Sequence, residues 1–204
     1  MKLIDLSHPL NGATPVFPGD HPTSLTKHTS LEEEHFTSYV LTSTMHTGTH
    51  VDVPMHLIDD ARTVADFPLD KYAGKGVLLD VRGETVISMK PRYRDIVSED
   101  SVVLLYTGFD ARYGTAEYFT YHPHVSRELA EFLISRKIKM IGIDMPSPDH
   151  SPYVVHKALL ENDIVILENL TNLHPLTQLT DFIIAAFPLK ISAEASLVRA
   201  VCIV

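Results

Sequence analysis

Short apolar runs rich in β-branched and aromatic residues, separated by turn-forming stretches, set the rhythm of this chain and predict strands. The first lie at Lys2–Leu6, Ser24–Ser30 and Phe36–Met45. Val77–Val81 and Val102–Tyr106 are apolar throughout, the pattern of strands covered on both faces. Lys139–Ile143, Ile164–Leu167, Phe182–Phe187 and Leu197–Val204 complete the predicted strands. Between them the period changes. Val125, Leu129, Phe132 and Leu133 recur at helical spacing with Glu128 and Glu131 on the other side, so Ser126–Lys137 is expected to be an amphipathic helix. Shorter helices are expected at Met89–Ile96 and Val154–Glu161, and a turn at Tyr72–Gly76, where two glycines stand close together. Strands alternating with helices predict an α/β fold: a mixed, barrel-like sheet with flanking helices.

Length and composition narrow the picture. A chain of 204 residues without a linker-like tract, low-complexity segment or repeat is expected to form a single domain over residues 1–204. No apolar run is long enough to span a bilayer, and Asp5 interrupts the apolar start, so neither a membrane span nor a leader is expected and the predicted location is cytoplasmic. The net charge of −9 argues against nucleic acid and anionic membranes as partners and favours a small neutral or cationic substrate. The single cysteine, Cys202, falls in the apolar C-terminal run and is expected to be a buried core thiol.

Candidate chemistry concentrates in one stretch, His46-Thr-Gly-Thr-His50-Val-Asp52-Val-Pro-Met-His56. Three imidazoles and a carboxylate within so few residues are the ligands that Zn²⁺, Mn²⁺ or Fe²⁺ accept when no thiolate is offered. All four sit at even separations, so extended backbone would send them to one face, while Pro54 ends any regular strand soon after Asp52. Two further residues stand out. Glu168 closes an apolar strand, where a carboxylate is either at the rim or neutralised by something positive such as a divalent ion. His156 lies on a short helix, where a lone histidine is more often a surface or core residue than a ligand. In Pro15-Val-Phe17-Pro-Gly-Asp20, two prolines fix the backbone around an aromatic ring, which reads as a rigid connector or a pocket wall. Asp144, Ser147 and Asp149 follow a strand in a polar loop and are given a supporting role. His122 and His124 read as surface loop residues, and His150 lies near the site loop.

The pattern His-x-Gly-Thr-His-x-Asp-x-Pro-x-His resembles the signature of the cyclase-like family of metal-dependent hydrolases, which includes bacterial kynurenine formamidases (arylformamidases) and isatin hydrolases. The resemblance implies the swivelling β/β/α fold. It implies one metal on His46, His50 and Asp52, and a second on Asp52, Glu168 and His156, the last two matching the family's spacing of twelve residues. His56 would then be the general acid/base, and Phe17 would contact substrate where the formamidases carry tryptophan. Ala193 and Ala195 depart from the family's Gly-x-x-Gly-Ser loop. The activity implied is hydrolysis of a C–N amide bond, foremost that of N-formyl-kynurenine, with Zn²⁺ as the expected ion and Mn²⁺ as its substitute. Opening of a cyclic amide or lactone is the alternative within the same chemistry, a lyase or cyclase a further one, and a non-catalytic metal- or ligand-binding module the alternative outside it. A homodimer or homotetramer is expected from the same resemblance.

Overall fold

Four parallel strands form the centre of the molecule, and everything that positions the site is hung on them. A computed structural model describes residues 1–204. Its strands in chain order are β1 Leu3–Asp5, β2 Ser24–Thr29, β3 Ser38–Thr42, β4 His50–Asp52, β5 Ala73–Asp80, β6 Val86–Ile87, β7 Val102–Tyr106, β8 His124–Val125, β9 Met140–Ile143, β10 Val165–Glu168, β11 Ile183–Ala185, β12 Ala195–Leu197 and β13 Val201–Ile203. The helices are α1 Leu31–Glu34, α2 Tyr93–Ile96, α3 Arg127–Ser135 and α4 Val154–Glu161. Neighbours β5, β7, β9 and β10 run parallel, each linked to the next by a crossover carrying α2, α3 or α4. The α/β fold class expected from the sequence is the one observed.

The large sheet runs β1-β13-β11-β5-β7-β9-β10-β4-β12. A flat sheet would put β12 and β13 seven strand spacings apart, roughly 34 Å at about 4.8 Å each. Only Val198, Arg199 and Ala200 connect them, a reach of at most about 14 Å. The sheet therefore curls until its edges approach, and this connector stitches them: Val198 N–H donates to the Thr49 carbonyl and Leu6 N–H to the Ala200 carbonyl, both at 3.0 Å. The expected single strand Leu197–Val204 is thus two strands, because the chain changes sheet position at Arg199.

Curling creates two cores. Along β7, Val103 and Leu105 point outward to α3 and α4, joining Ile141, Ile143, Ile166, Leu129 and Leu159. Val102, Leu104 and Tyr106 point inward with Met140, Leu167, Val51 and Cys202. Cys202 is buried, as its apolar surroundings predict. The α3 helix starts at Ser126, whose side-chain oxygen accepts from Leu129 N–H at 3.2 Å. The turn expected at Tyr72–Gly76 is instead the start of β5. Gly76 serves there for close approach, since a Cβ would lie 2.1 Å from the Phe182 ring. No helix is long and apolar enough to cross a membrane.

Candidate active site

Alternation along β4 makes the site. Val51 and Val53 enter the inner core, so His50 and Asp52 face the helix side. Across the antiparallel ladder His50 is opposite Glu168, and Asp52 is opposite both Ile166 and Ala195. Cross-strand partners share a face, which brings His50 Nε2 within 3.4 Å of Glu168 Oε2. The α4 helix packs over the same face and supplies His156, whose Nε2 is 3.5 Å from Asp52 Oδ2.

The expectation of a single extended face holds only for His50 and Asp52. His46 precedes the strand in a turn that Gly48 reverses with a left-handed φ of 61°. His56 ends a single 3₁₀ turn begun by Pro54. Both are brought back all the same: His46 Nδ1 is 3.0 Å from Asp52 Oδ1, and the His56 ring lies 4.1 Å from that of His46 and 5.5 Å from that of His156. Asp52 is the hub. Its Oδ1 faces His46 and His50, at 3.0 and 3.5 Å, and its Oδ2 faces His156 at 3.5 Å. Potential ligand atoms of His46, Asp52 and His56 lie within 4.8 Å of one another, and so do those of His50, Asp52 and Glu168.

These residues fit divalent ions. His50, Asp52, His156 and Glu168 are at most 4% exposed, yet His50 Nε2, both Asp52 oxygens, His156 Nε2 and Glu168 Oε1 have no hydrogen-bond partner. Such orphaned buried groups are costly and need a partner. The N···O separations of 3.4–3.5 Å around His50, His156 and their carboxylates are too long for charge-assisted hydrogen bonds. They are the spacing of two atoms each bound at about 2.0–2.1 Å to one tetrahedral ion, which lie about 3.3–3.4 Å apart.

The surrounding structure fixes the ligand atoms. His50 Nδ1 donates to the Gly48 carbonyl at 2.8 Å, which leaves Nε2 free for an ion. The same carbonyl accepts from Asn169 Nδ2 at 2.9 Å, and Asn169 Oδ1 accepts from the Tyr118 hydroxyl at 2.8 Å. Asp149 Oδ2 accepts from Val155 N–H at 2.7 Å in the first turn of α4, and Ser147 Oγ lies 3.4 Å from His156 Nδ1. Asp144 serves elsewhere, accepting from Thr107 and Gly108. The histidines and carboxylates of the cluster shift one another's pKa values. Burial works to lower the His46 pKa, but Asp52, Glu168 and Glu194 outweigh it and raise it to about 9. Burial works to raise that of Asp52, and His46 and His50 hold it well below the carboxylate range instead. His56 goes the other way: burial, joined by His46, His156 and His50 against Asp52, lowers it to about 4.

Above the cluster is a cavity of about 210 Å³, smaller than most drug-sized sites. The expected pocket residue Phe17 lines it beside Phe119, edge to face at 5.7 Å between centroids. A groove of about 460 Å³ between α3 and α4 is larger but holds none of the cluster's ligand groups. Sequence reasoning missed Asn169, Glu194, Phe119, Asp20 and Tyr153; of these Tyr153 and Asn169, non-glycine residues at φ 59° and 55°, carry backbone strain typical of sites, and that is not readable from composition. His122, expected on the surface, is 5% exposed because its ring stacks on His150 at 4.0 Å.

What the fold and the cluster together define is a metal-dependent hydrolase, since an ion-binding floor under a small-molecule cavity serves to activate water against a bound carbonyl. The family is equally definite: the Cyclase model, described as Putative cyclase, matches residues 4–150, and the chain belongs to that family. It is 34% identical over 206 residues to the kynurenine formamidase of Bacillus anthracis, covering 98% of this chain and 96% of that protein. An isatin hydrolase bound to the product analogue thioisatinate superposes with a TM-score of 0.89 at 20% identity, over 100% of this chain and 92% of that one. A potential metal-dependent hydrolase with cyclase activity superposes at 0.78 with 23% identity, over 98% and 96%.

Proposed function

We propose that this chain hydrolyses the amide bond of N-formyl arylamines, foremost N-formyl-kynurenine to kynurenine and formate. Support comes from the full-length similarity to a kynurenine formamidase. The observation that carries the mechanism is Asp52, with one oxygen toward His46 and His50 and the other toward His156, beneath an aromatic-walled cavity. His46, His50 and Asp52 would hold one divalent ion and Asp52, Glu168 and His156 a second, with Zn²⁺ suited to this nitrogen and oxygen set and Mn²⁺ its nearest substitute. When bound, the ions supply Lewis acidity, lowering the pKa of water and polarising the substrate carbonyl.

The chain's own residues do the rest. Phe17 and Phe119 hold the aryl ring by stacking and edge contacts. Neutral His56 accepts the proton of the attacking water and returns it to the amide nitrogen as the C–N bond breaks, which an amine leaving group requires. The atoms balance as one water consumed and one amine, one formate and one proton released. A homodimer or homotetramer is part of the proposal, supported by the exposed Phe36, Tyr39, Val40 and Leu41 on and beside β3. So is a cytoplasmic location. Opening of a cyclic amide such as isatin is the second reading, supported by the superposition of the whole chain on an isatin hydrolase. Metal-loaded protein assayed on N-formyl-kynurenine, formanilide and isatin separates the two. Formate release is the expected result, and turnover of isatin alone would overturn it.

A further inference from the structure

Outside the candidate ligand cluster, the side chains lining the cavity bring negative charge only. No lysine or arginine lines it; apart from the four histidines, its ionisable residues are Glu168 and Tyr153 within and Asp20 at the rim. Glu168 is buried among the candidate ligands, whereas Asp20 is exposed. Asp20 is held in place by its neighbours. Its N–H donates to the Phe17 carbonyl at 3.0 Å, closing a turn with Pro18 second and Gly19, at φ 102°, third. That is the geometry of a type II turn, which needs glycine at its third position. One rigid turn thus presents an aromatic ring and a carboxylate to the same cavity. The aromatic faces of Phe17 and Phe119 also favour a cation over an anion, and the net charge of −9 acts in the same direction at longer range.

We infer that Asp20 is a specificity residue that favours aryl amides bearing an ammonium group, as N-formyl-kynurenine does, and disfavours those whose only charge is a carboxylate. This rests on the amide-hydrolase reading of the site. With the reacting amide at the buried floor, a ring substituent reaches toward the rim, where Asp20 meets an ammonium as a counter-ion and has nothing to offer a carboxylate. A partly exposed ion pair of this kind changes kcat/KM by about fivefold.

Three formanilides of similar size test it on metal-loaded protein: formanilide, 3-(aminomethyl)formanilide and 3-formamidobenzoate. At low salt the cationic compound should exceed the neutral one by about fivefold and the anionic one should fall below it by a similar factor. Raising the salt, or the substitution Asp20→Asn, should bring the three together, and Asp20→Glu should restore part of the order. An order unchanged by Asp20→Asn, or one led by the anion, overturns the inference. Calorimetric binding of the three product amines reads the same order without turnover. If none of the formanilides is cleaved yet the amines keep the order and lose it in Asp20→Asn, the role of Asp20 stands and the amide reading falls; if the amines show no order, the role of Asp20 falls.

Discussion

Asn169→Ala probes how the protein holds its ligands before any ion arrives. Asn169 is 4% exposed and left-handed at φ 55°, and its amide bridges the Gly48 carbonyl to the Tyr118 hydroxyl at 2.9 and 2.8 Å. Alanine strands the fully buried Tyr118 hydroxyl, at about 1–3 kcal/mol. The Gly48 carbonyl loses one of two donors but keeps His50, a smaller loss of about 0.5–1.5 kcal/mol. Left-handed backbone adds about 1 kcal/mol for a residue without a local side-chain hydrogen bond. The sum is about 2.5–5.5 kcal/mol, read as a lowered urea midpoint at unchanged m-value. Asn169→Gly should recover the backbone part, and Tyr118→Phe should cost only the share of its own hydrogen bond. Because the Gly48 carbonyl orients His50, metal affinity should also fall by about 10–100-fold in competition with a chelating dye. Wild-type metal affinity in Asn169→Ala, whatever its stability, would refute the claim that this bridge orients His50.

Four further outcomes follow from the same geometry. His56→Ala should lower kcat/KM on formanilide by about 10²–10⁴-fold while elemental analysis finds the metal content unchanged; loss of metal would make His56 a ligand instead. Removing the ions with a chelator should lower the melting temperature by about 8–16 °C, the effect of about 4 kcal/mol at saturating metal, and re-addition should restore it. In the stripped protein His46, raised to about 9, contributes stability that is full below its unfolded pKa near 6.5 and is lost as pH rises through about 9. His56, lowered to about 4, removes stability as pH falls from 6.5 toward 4, so the urea midpoint of stripped protein should peak near pH 6.5; a flat profile would contradict both shifts. Gly76→Ala should destabilise by about 1–3 kcal/mol in urea titrations, because its Cβ meets the Phe182 ring.

Where local pattern and tertiary role agree, the sequence was readable. Val102–Tyr106 and Val154–Glu161 fall where apolar runs and helical spacing put them. The local ligand run His46–His56 was legible because its residues are neighbours in the chain; Glu168 stood out as a carboxylate closing an apolar strand, but His156 as a ligand, and the joining of both to the first cluster, came only through resemblance to a family. What escaped depends on distant packing. Two glycines in β5 look like a turn until Phe182 occupies the space above Gly76. The break at Arg199 exists because a curled sheet must be closed there, and nothing local marks it. Asn169 and Glu194 reach the cluster from segments more than a hundred residues away from His50, so no spacing rule finds them.

The central claim is that Asp52 is shared by two ions, each completed by ligands from a different part of the chain. Elemental analysis of purified, metal-loaded protein alongside Asp52→Ala and His156→Ala tests it most directly. The account predicts two divalent ions per chain in the wild type, near none in Asp52→Ala and one in His156→Ala. Equal metal content in all three proteins would contradict it.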